Sequence, residues 1–123
     1  MNPSRLRCLI VDDSAPFRTA ARGMLESGGI TVVGTASTLA DAVSQSETTH
    51  PDVALVDIDL GGESGFDVAD ALHALAVEPA VVLISTHNHD EFTDMIDASS
   101  AIGFVPKFSL SADRVRSALA DAQ

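Results

Sequence analysis

Five short apolar runs, separated by segments with helical patterns, are the feature that most constrains how this chain can fold. The runs are nearly continuous rather than alternating and are rich in β-branched residues, as is typical of strands buried on both faces of a parallel sheet. They are RCLIVDD (7–13), TVVGTA (31–36), DVALVDI (52–58), AVVLIST (80–86) and GFVPK (103–107).

The segments between these runs carry apolar residues at spacings of three and four, which predicts amphipathic helices. They span residues 14–29, 37–50, 65–78, 89–100 and 111–122. Hydroxyl side chains that can cap the first turn of a helix begin three of them: Ser14, Ser37 or Thr38, and Ser111. Strict alternation of strand and helix predicts a doubly wound α/β sandwich with right-handed crossovers. No repeat or linker interrupts it, so we expect one domain over residues 1–123.

The charge distribution limits the partners of the chain. The net charge is −11, and between residues 23 and 106 there are fourteen acids and no lysine or arginine. Such a surface repels phosphate backbones, so we expect no direct nucleic-acid binding by this chain and instead a metal cation or a basic partner surface. No apolar run is long enough to cross a membrane, and the N-terminal run is too short for a signal peptide. The single cysteine, Cys8, lies within an apolar run and is expected to be a buried thiol. These features predict a cytoplasmic protein without membrane contact.

Polar side chains follow four of the five predicted strands. They are Asp12 and Asp13 after the first, Asp57 after the third, Ser85-Thr86 after the fourth and Lys107 after the fifth. Sites in an open parallel sheet form beyond the carboxyl ends of the strands. If the first and third strands are neighbours, three carboxylates meet at one edge, with a hydroxyl and an ammonium group beside them.

Three carboxylates at close quarters repel each other unless a cation shares them, and hard oxygen ligands in a small cluster suit Mg²⁺. With the metal present, Asp57 can act as a nucleophile toward a phosphoryl group, while Lys107 offsets charge on the phosphoryl oxygens. The Ser85 hydroxyl can donate to one of those oxygens. The residue types therefore predict an aspartyl-phosphate site.

These residues stand in LIVDDS (9–14), LVDIDLGGESGFDVA (55–69), VVLIST (81–86) and GFVPKFSL (103–110). On these motifs the chain resembles the receiver domain of two-component response regulators, the CheY-like fold. The TVVGTA and DIDLGGESG segments make it most similar to receivers of NarL/LuxR-type regulators. The resemblance implies a single receiver domain with a flavodoxin-like (βα)5 fold, whose five parallel strands lie in the order 2-1-3-4-5.

The resemblance also implies roles at the site. Asp57 would be the phosphoacceptor, Asp13 a direct ligand of Mg²⁺ and Asp12 a ligand mainly through water. The main-chain carbonyl of Asp59 would complete the protein ligands, and Lys107 would pair with the phosphoryl group.

Further roles concern switching and lifetime. Ser85, which lies 22 residues before Lys107, would be the switch hydroxyl, and Phe104 the rotating aromatic residue. The Asp59 side chain and His87 would influence autodephosphorylation. The implied function is signalling rather than enzymatic: the domain assists its own phosphotransfer and slow autodephosphorylation.

The implied partners are a sensor histidine kinase or a histidine phosphotransfer protein. Phosphorylation would change the binding preference of the face formed by the fourth helix, the fifth strand and the fifth helix, and a homodimer through that face is consistent with the resemblance. The sequence does not decide between a stand-alone regulator and the receiver half of a DNA-binding one.

One feature departs from the family, and two alternatives to a phosphorylated receiver stay open. Phe108 follows Lys107 where the family has a proline in a cis peptide, so the isomer of this bond is open. A degenerate receiver, acting as an interaction module without phosphorylation, is one alternative. The Asp57-x-Asp59 pair also resembles the motif of haloacid-dehalogenase-type phosphatases, although that motif follows the first strand. Glu63 is expected to be a solvated loop residue.

Overall fold

The computed structural model describes residues 6–86 and 93–121. In this part of the chain five parallel strands form one sheet in the order β2-β1-β3-β4-β5, as the resemblance implies. The elements are β1 (Arg7–Val11), α1 (Ala15–Ser27), β2 (Thr31–Ala36), α2 (Leu39–Thr49), β3 (Val53–Asp57), α3 (Gly65–His73), β4 (Ala80–Ser85), α4 (Thr93–Ala98), β5 (Gly103–Pro106) and α5 (Ala112–Asp121). A short 3-10 helix, Lys107–Ser109, joins β5 to α5.

The predicted strands agree with the observed ones within two residues at each end. The difference falls on the polar ends of the runs, because Asp12, Asp13 and Lys107 lie just beyond the last paired residue of their strands. Helix α3 is shorter than predicted and ends at His73, and Glu78 adopts a left-handed φ of 36° before β4. The first residues of the predicted helix 89–100 lie outside the described part of the chain.

The sheet is buried on both faces, as the continuous apolar runs predict. Alternate residues of β1 enter two separate core clusters: Ile10 packs with α1 and α5, while Leu9 packs with α2 and α3. Leu25 and Val68 are the fully buried anchors of α1 and α3 in the two clusters. Cys8 is also fully buried, as predicted, and desolvation raises the pKa of its thiol to about 12.

Side-chain caps place the helix starts next to the strand ends. The Ser14 hydroxyl accepts from Phe17 N at 3.3 Å, and the Ser111 hydroxyl accepts from Arg114 N at 3.1 Å. Thr38, rather than Ser37, caps α2, because its Oγ1 accepts from Asp41 N at 3.1 Å. The described helices include none that is long and apolar enough to cross a bilayer.

Helix α3 begins in direct contact with the end of β3. Gly65 N donates to Ile58 O at 2.7 Å, and a Cβ built on Gly65 would lie 2.0 Å from Asp57 O and 2.7 Å from Ile58 Cα. Both obstacles are backbone atoms, so neither can move without moving the strand end. Only glycine therefore fits where α3 meets Asp57.

We expect Gly65→Ala to destabilise the protein by about 3 kcal/mol, because overpacking against backbone forces the strand end to shift. Urea unfolding measures this. Gly62→Ala is the matched control, since a Cβ at Gly62 meets nothing within 4 Å. Equal stability of the two variants would contradict the contact between Gly65 and Asp57.

Candidate functional site

The three predicted carboxylates converge at the carboxyl edge of the sheet. Strands β1 and β3 pair directly, with Val11 opposite Val56, so the residues that follow or end them are neighbours. Asp12, Asp13 and Asp57 each offer a carboxylate oxygen, and these oxygens all lie within 4.8 Å of one another. Asp12 is fully buried and Asp57 is 6% exposed, whereas Asp13 is open to solvent.

Lys107 crosses the sheet edge to reach two of these carboxylates. Strand β4 separates β5 from β3, and the long lysine side chain spans that distance. Its Nζ lies 2.6 Å from Asp12 Oδ2 and 3.1 Å from Asp57 Oδ2. The side chain is 14% exposed, so these ion pairs are largely shielded from solvent. The structure thus brings together the acids and the ammonium group that the sequence singled out.

Main-chain N–H groups fix the orientation of both buried carboxylates in the same way. Ser14 N donates to Asp12 Oδ1 at 2.8 Å, and Asp59 N donates to Asp57 Oδ1 at 3.2 Å. In each case the donor lies two residues after the acid. One oxygen of each carboxylate is therefore held by its own loop, and the other is turned toward Lys107.

Burial raises the pKa of the Asp57 carboxyl above its ordinary value, and the negative charge of Asp12 adds to the rise. Hydrogen bonds from Asp59 N and Lys107 act in the opposite direction and reduce this rise. For Lys107, burial alone lowers the pKa, but the two carboxylates outweigh it and the pKa is raised. Lys107 therefore stays protonated, while the negative charge of Asp57 is destabilised by burial and by Asp12.

The donor set fits a small divalent cation. Three carboxylates face one ammonium group, which leaves an excess of negative charge at the edge. Asp12 Oδ2 is buried and, among the described residues, has no aligned hydrogen-bond donor, although the Lys107 charge lies close to it. Oxygen ligands of this kind suit Mg²⁺. Asp12, Asp13 and Asp57 are the side chains that would hold the ion, while the role of the Asp59 carbonyl stays a prediction.

The predicted switch residues lie beside this edge. Ser85 ends β4 and is 2% exposed, one residue beyond Ile84, the partner of Asp57 across the two strands. It lines a cleft of about 450 Å³ together with the β3–α3 loop, including Asp59. Phe104 lies half-buried on β5 and packs against the core cluster of α2 and α3. His87 lies outside the described residues.

The β3–α3 loop is fastened at more points than the sequence suggested. The Asp59 side chain accepts from Gly61 N at 3.1 Å, which ties it into its own loop. Glu63 is exposed, as expected, but is not merely a solvated loop residue, because its Oε1 accepts from Leu39 N at 2.8 Å. That contact satisfies a free N–H at the start of α2. The expectation for Glu63 was therefore wrong in this respect: the side chain joins the loop to α2.

Two further side chains at the site carry no sequence signal of their own. The Phe17 ring lies under Lys107, with its centroid 4.3 Å from Nζ. Arg18 donates from its guanidinium to the main-chain oxygen of Asp12 at 2.6 Å. Both lie on α1, where the apolar pattern indicated only a helix that packs on the sheet.

The Lys107–Phe108 bond is trans, since no described peptide bond is cis.

Comparison with known proteins agrees with this geometry. The family model of the response regulator receiver domain matches residues 8–120. The "Probable transcriptional regulatory protein NarL" of Mycobacterium tuberculosis is 32% identical over 118 residues, which cover 95% of this chain and 55% of that protein. The "Nitrate/nitrite response regulator protein NarL" of Escherichia coli is 31% identical over 84 residues, which cover 68% of this chain and 39% of that protein. The solved receiver domain of the M. tuberculosis NarL response regulator covers 98% of both chains, with a TM-score of 0.82 at 32% identity.

The fold and the acidic edge define a CheY-like receiver. The chain belongs to the response regulator receiver domain family of two-component systems, and it is similar to receivers of the NarL type. It spans about half the length, or less, of these two curated relatives. Family membership sets aside the haloacid-dehalogenase-type phosphatase, and Asp57 is the last residue of the third strand rather than a residue at the end of the first.

We expect Lys107→Met to lower the free energy of unfolding by about 3 kcal/mol, because it leaves the buried Asp12 and Asp57 charges without their shared partner. Urea unfolding in the presence of EDTA measures this without metal. Arg114→Met removes an exposed positive charge from α5 and serves as the control. A loss no larger than that of the control would show that the ion pairs contribute nothing.

The raised pKa of Asp57 predicts a pH dependence of stability in metal-free protein. Between the ordinary pKa of 3.8 and the raised pKa of the folded state, the folded protein retains on Asp57 a proton that the unfolded chain has released. The stability that this extra proton contributes is fully present below pH 3.8 and is lost as the pH rises through the folded pKa of Asp57. We expect Asp57→Asn to flatten this slope and the exposed Asp67→Asn to leave it unchanged, as measured by urea unfolding at several pH values. An identical slope in wild type and Asp57→Asn would contradict the assignment.

Proposed function

We propose that Asp57 accepts a phosphoryl group and that this receiver thereby relays a signal in a two-component or phosphorelay system. The observation that carries the proposal is the position of Lys107, whose Nζ lies 3.1 Å from Asp57 Oδ2 and 2.6 Å from Asp12 Oδ2. A buried carboxylate at a strand end, with a fixed ammonium group beside it, combines a nucleophile with the charge that stabilises a phosphoryl oxygen.

The donor would be a phosphohistidine of a sensor kinase or of a histidine phosphotransfer protein. An Asp57 oxygen forms the new P–O bond while the P–N bond breaks, and the electron pair of that bond stays on the imidazole nitrogen, which takes up a proton. Lys107 pairs with a phosphoryl oxygen in the product. Mg²⁺ held by Asp12, Asp13 and Asp57 would supply positive charge to the transferring oxygens.

Switching would follow from the charge added at Asp57. Ser85 lines the cleft beside the β3–α3 loop, which supports its role as a hydroxyl donor to the phosphoryl group. Phe104 lies half-buried on the neighbouring strand and would turn inward as Ser85 moves. The face of α4, β5 and α5 would then change its binding preference, as a shift between two populations. Asp59 and His87 would tune the lifetime of the phosphoryl group.

The remaining proposals concern the surroundings of the domain. We infer a cytoplasmic location, a signalling rather than an enzymatic output, and a homodimer through the α4-β5-α5 face as one form of that output. A NarL-type relative that is a transcriptional regulatory protein supports a longer regulator as the context. The acidic surface argues that nucleic-acid binding would belong to another part of such a regulator.

Phosphorylation is tested by incubating the protein with acetyl phosphate and Mg²⁺ and weighing the intact chain. We expect one phosphoryl adduct in wild type, none in Asp57→Asn and none in wild type with EDTA. Asp67→Asn, which removes an exposed acid from α3, is the matched control and should keep the adduct.

The outcomes separate the alternatives. No adduct in wild type, together with amide shifts that beryllofluoride leaves unchanged, would favour the degenerate receiver that acts as an interaction module. An adduct that survives Asp57→Asn would place the phosphoacceptor at another residue.

A further inference from the structure

The ammonium group of Lys107 is bounded by an aromatic ring as well as by two carboxylates. The Phe17 centroid lies 4.3 Å from Lys107 Nζ, within the range of a cation–π contact. Phe17 is half-buried and packs against the core cluster shared by α1 and α5. The ring therefore has a fixed place, and one of its faces is turned toward the charge.

The position of Phe17 is linked to that of Asp12 through the first turn of α1. Ser14 N donates to Asp12 Oδ1 at 2.8 Å, and Phe17 N donates to Ser14 Oγ at 3.3 Å. Lys107 Nζ contacts both Asp12 and Phe17, so the contacts form a closed cycle that runs from Asp12 through Ser14, Phe17 and Lys107 back to Asp12. The cap of α1 thus sets the distance between the carboxylate and the aromatic face on which the lysine is held.

The aromatic ring of Phe17 acts on Lys107 differently from a third polar side chain in the same place. A lysine side chain has four rotatable bonds and loses much conformational entropy when it is held in place. The ring attracts the cation and covers one side of it, but it offers no lone pair that competes with a phosphoryl oxygen. It can hold the ammonium group near Asp57 while leaving the N–H donors free to change partners.

We propose that Phe17 is a positioning residue that holds Lys107 toward Asp57 through this cation–π contact. The inference rests on the proposed phosphorylation of Asp57, whose rate it affects through Lys107. Phe17 itself touches neither the carboxylate nor the phosphoryl group in this scheme. Its effect therefore depends on an aromatic face and not on apolar volume alone.

The experiment uses the fact that Lys107 is the only lysine in the sequence. Carbon-13-labelled lysine gives a single set of side-chain NMR signals, and the ring should shift the Hε protons upfield of their position in the unfolded chain. We expect Phe17→Leu to abolish that shift and to slow adduct formation from acetyl phosphate about fivefold, the size expected for losing one such contact. Phe17→Tyr restores the aromatic face and should rescue both.

Phe66→Leu is the matched control. Phe66 is also a half-buried phenylalanine in the first turn of a helix, but it packs against the other core cluster. The control should keep the Lys107 signals and the adduct rate of wild type. Thermal unfolding of each variant shows whether it is folded at the temperature of the assay.

The inference alone would be overturned by wild-type Lys107 signals without a ring shift, or by an adduct rate in Phe17→Leu that equals that of wild type. A rate that falls equally in Phe17→Leu and Phe17→Tyr would also overturn it, because volume rather than the aromatic face would then be responsible. A wild-type protein that forms no adduct would overturn the proposed function first and the inference with it.

Discussion

The site depends on a buried ion pair that reaches across the sheet. Lys107 leaves β5 and passes the end of β4 to place its Nζ 2.6 Å from Asp12 Oδ2 and 3.1 Å from Asp57 Oδ2. Such a contact is available only because β1 and β3 are neighbours and β5 lies two strands from β3. Removing a buried charge's partner is costly, so the strand order and the ion pairs support each other.

Even with this ion pair, the carboxyl edge of the sheet has too little positive charge to balance its carboxylates. One ammonium group faces three carboxylates, and burial together with Asp12 raises the pKa of Asp57. The two core clusters on the faces of the sheet bury apolar surface, which stabilises the fold and opposes this local cost. The negative excess favours the binding of a cation at the point where β1 and β3 end.

How far the sequence predicts the molecule depends on the range of each interaction. The strands and the positions of Asp12, Asp57 and Lys107 follow from apolar runs and from what ends them, because parallel strands present their carboxyl ends at one edge. The hydrogen bond of Glu63 to α2 joins residues 24 apart and has no local pattern. The contact between Phe17 and Lys107 could not be predicted, because a phenylalanine at helical spacing indicates only a core residue. Phe17 does pack against the core, but its ring also contacts Lys107.

The backbone and the side chains at Asp57 differ in their freedom to respond to a change of charge. Gly65 lies against the Asp57 carbonyl so closely that a Cβ would come within 2.0 Å, and Gly65 N is bonded to Ile58 O. Asp59 and Glu63 fasten the loop that follows. Since the strand end is held by backbone contacts, a change of charge at Asp57 is met by side chains, and the ion pairs of Lys107 lie nearest to it. Under the proposed phosphorylation, the charge added at Asp57 would therefore act first on the partners of Lys107.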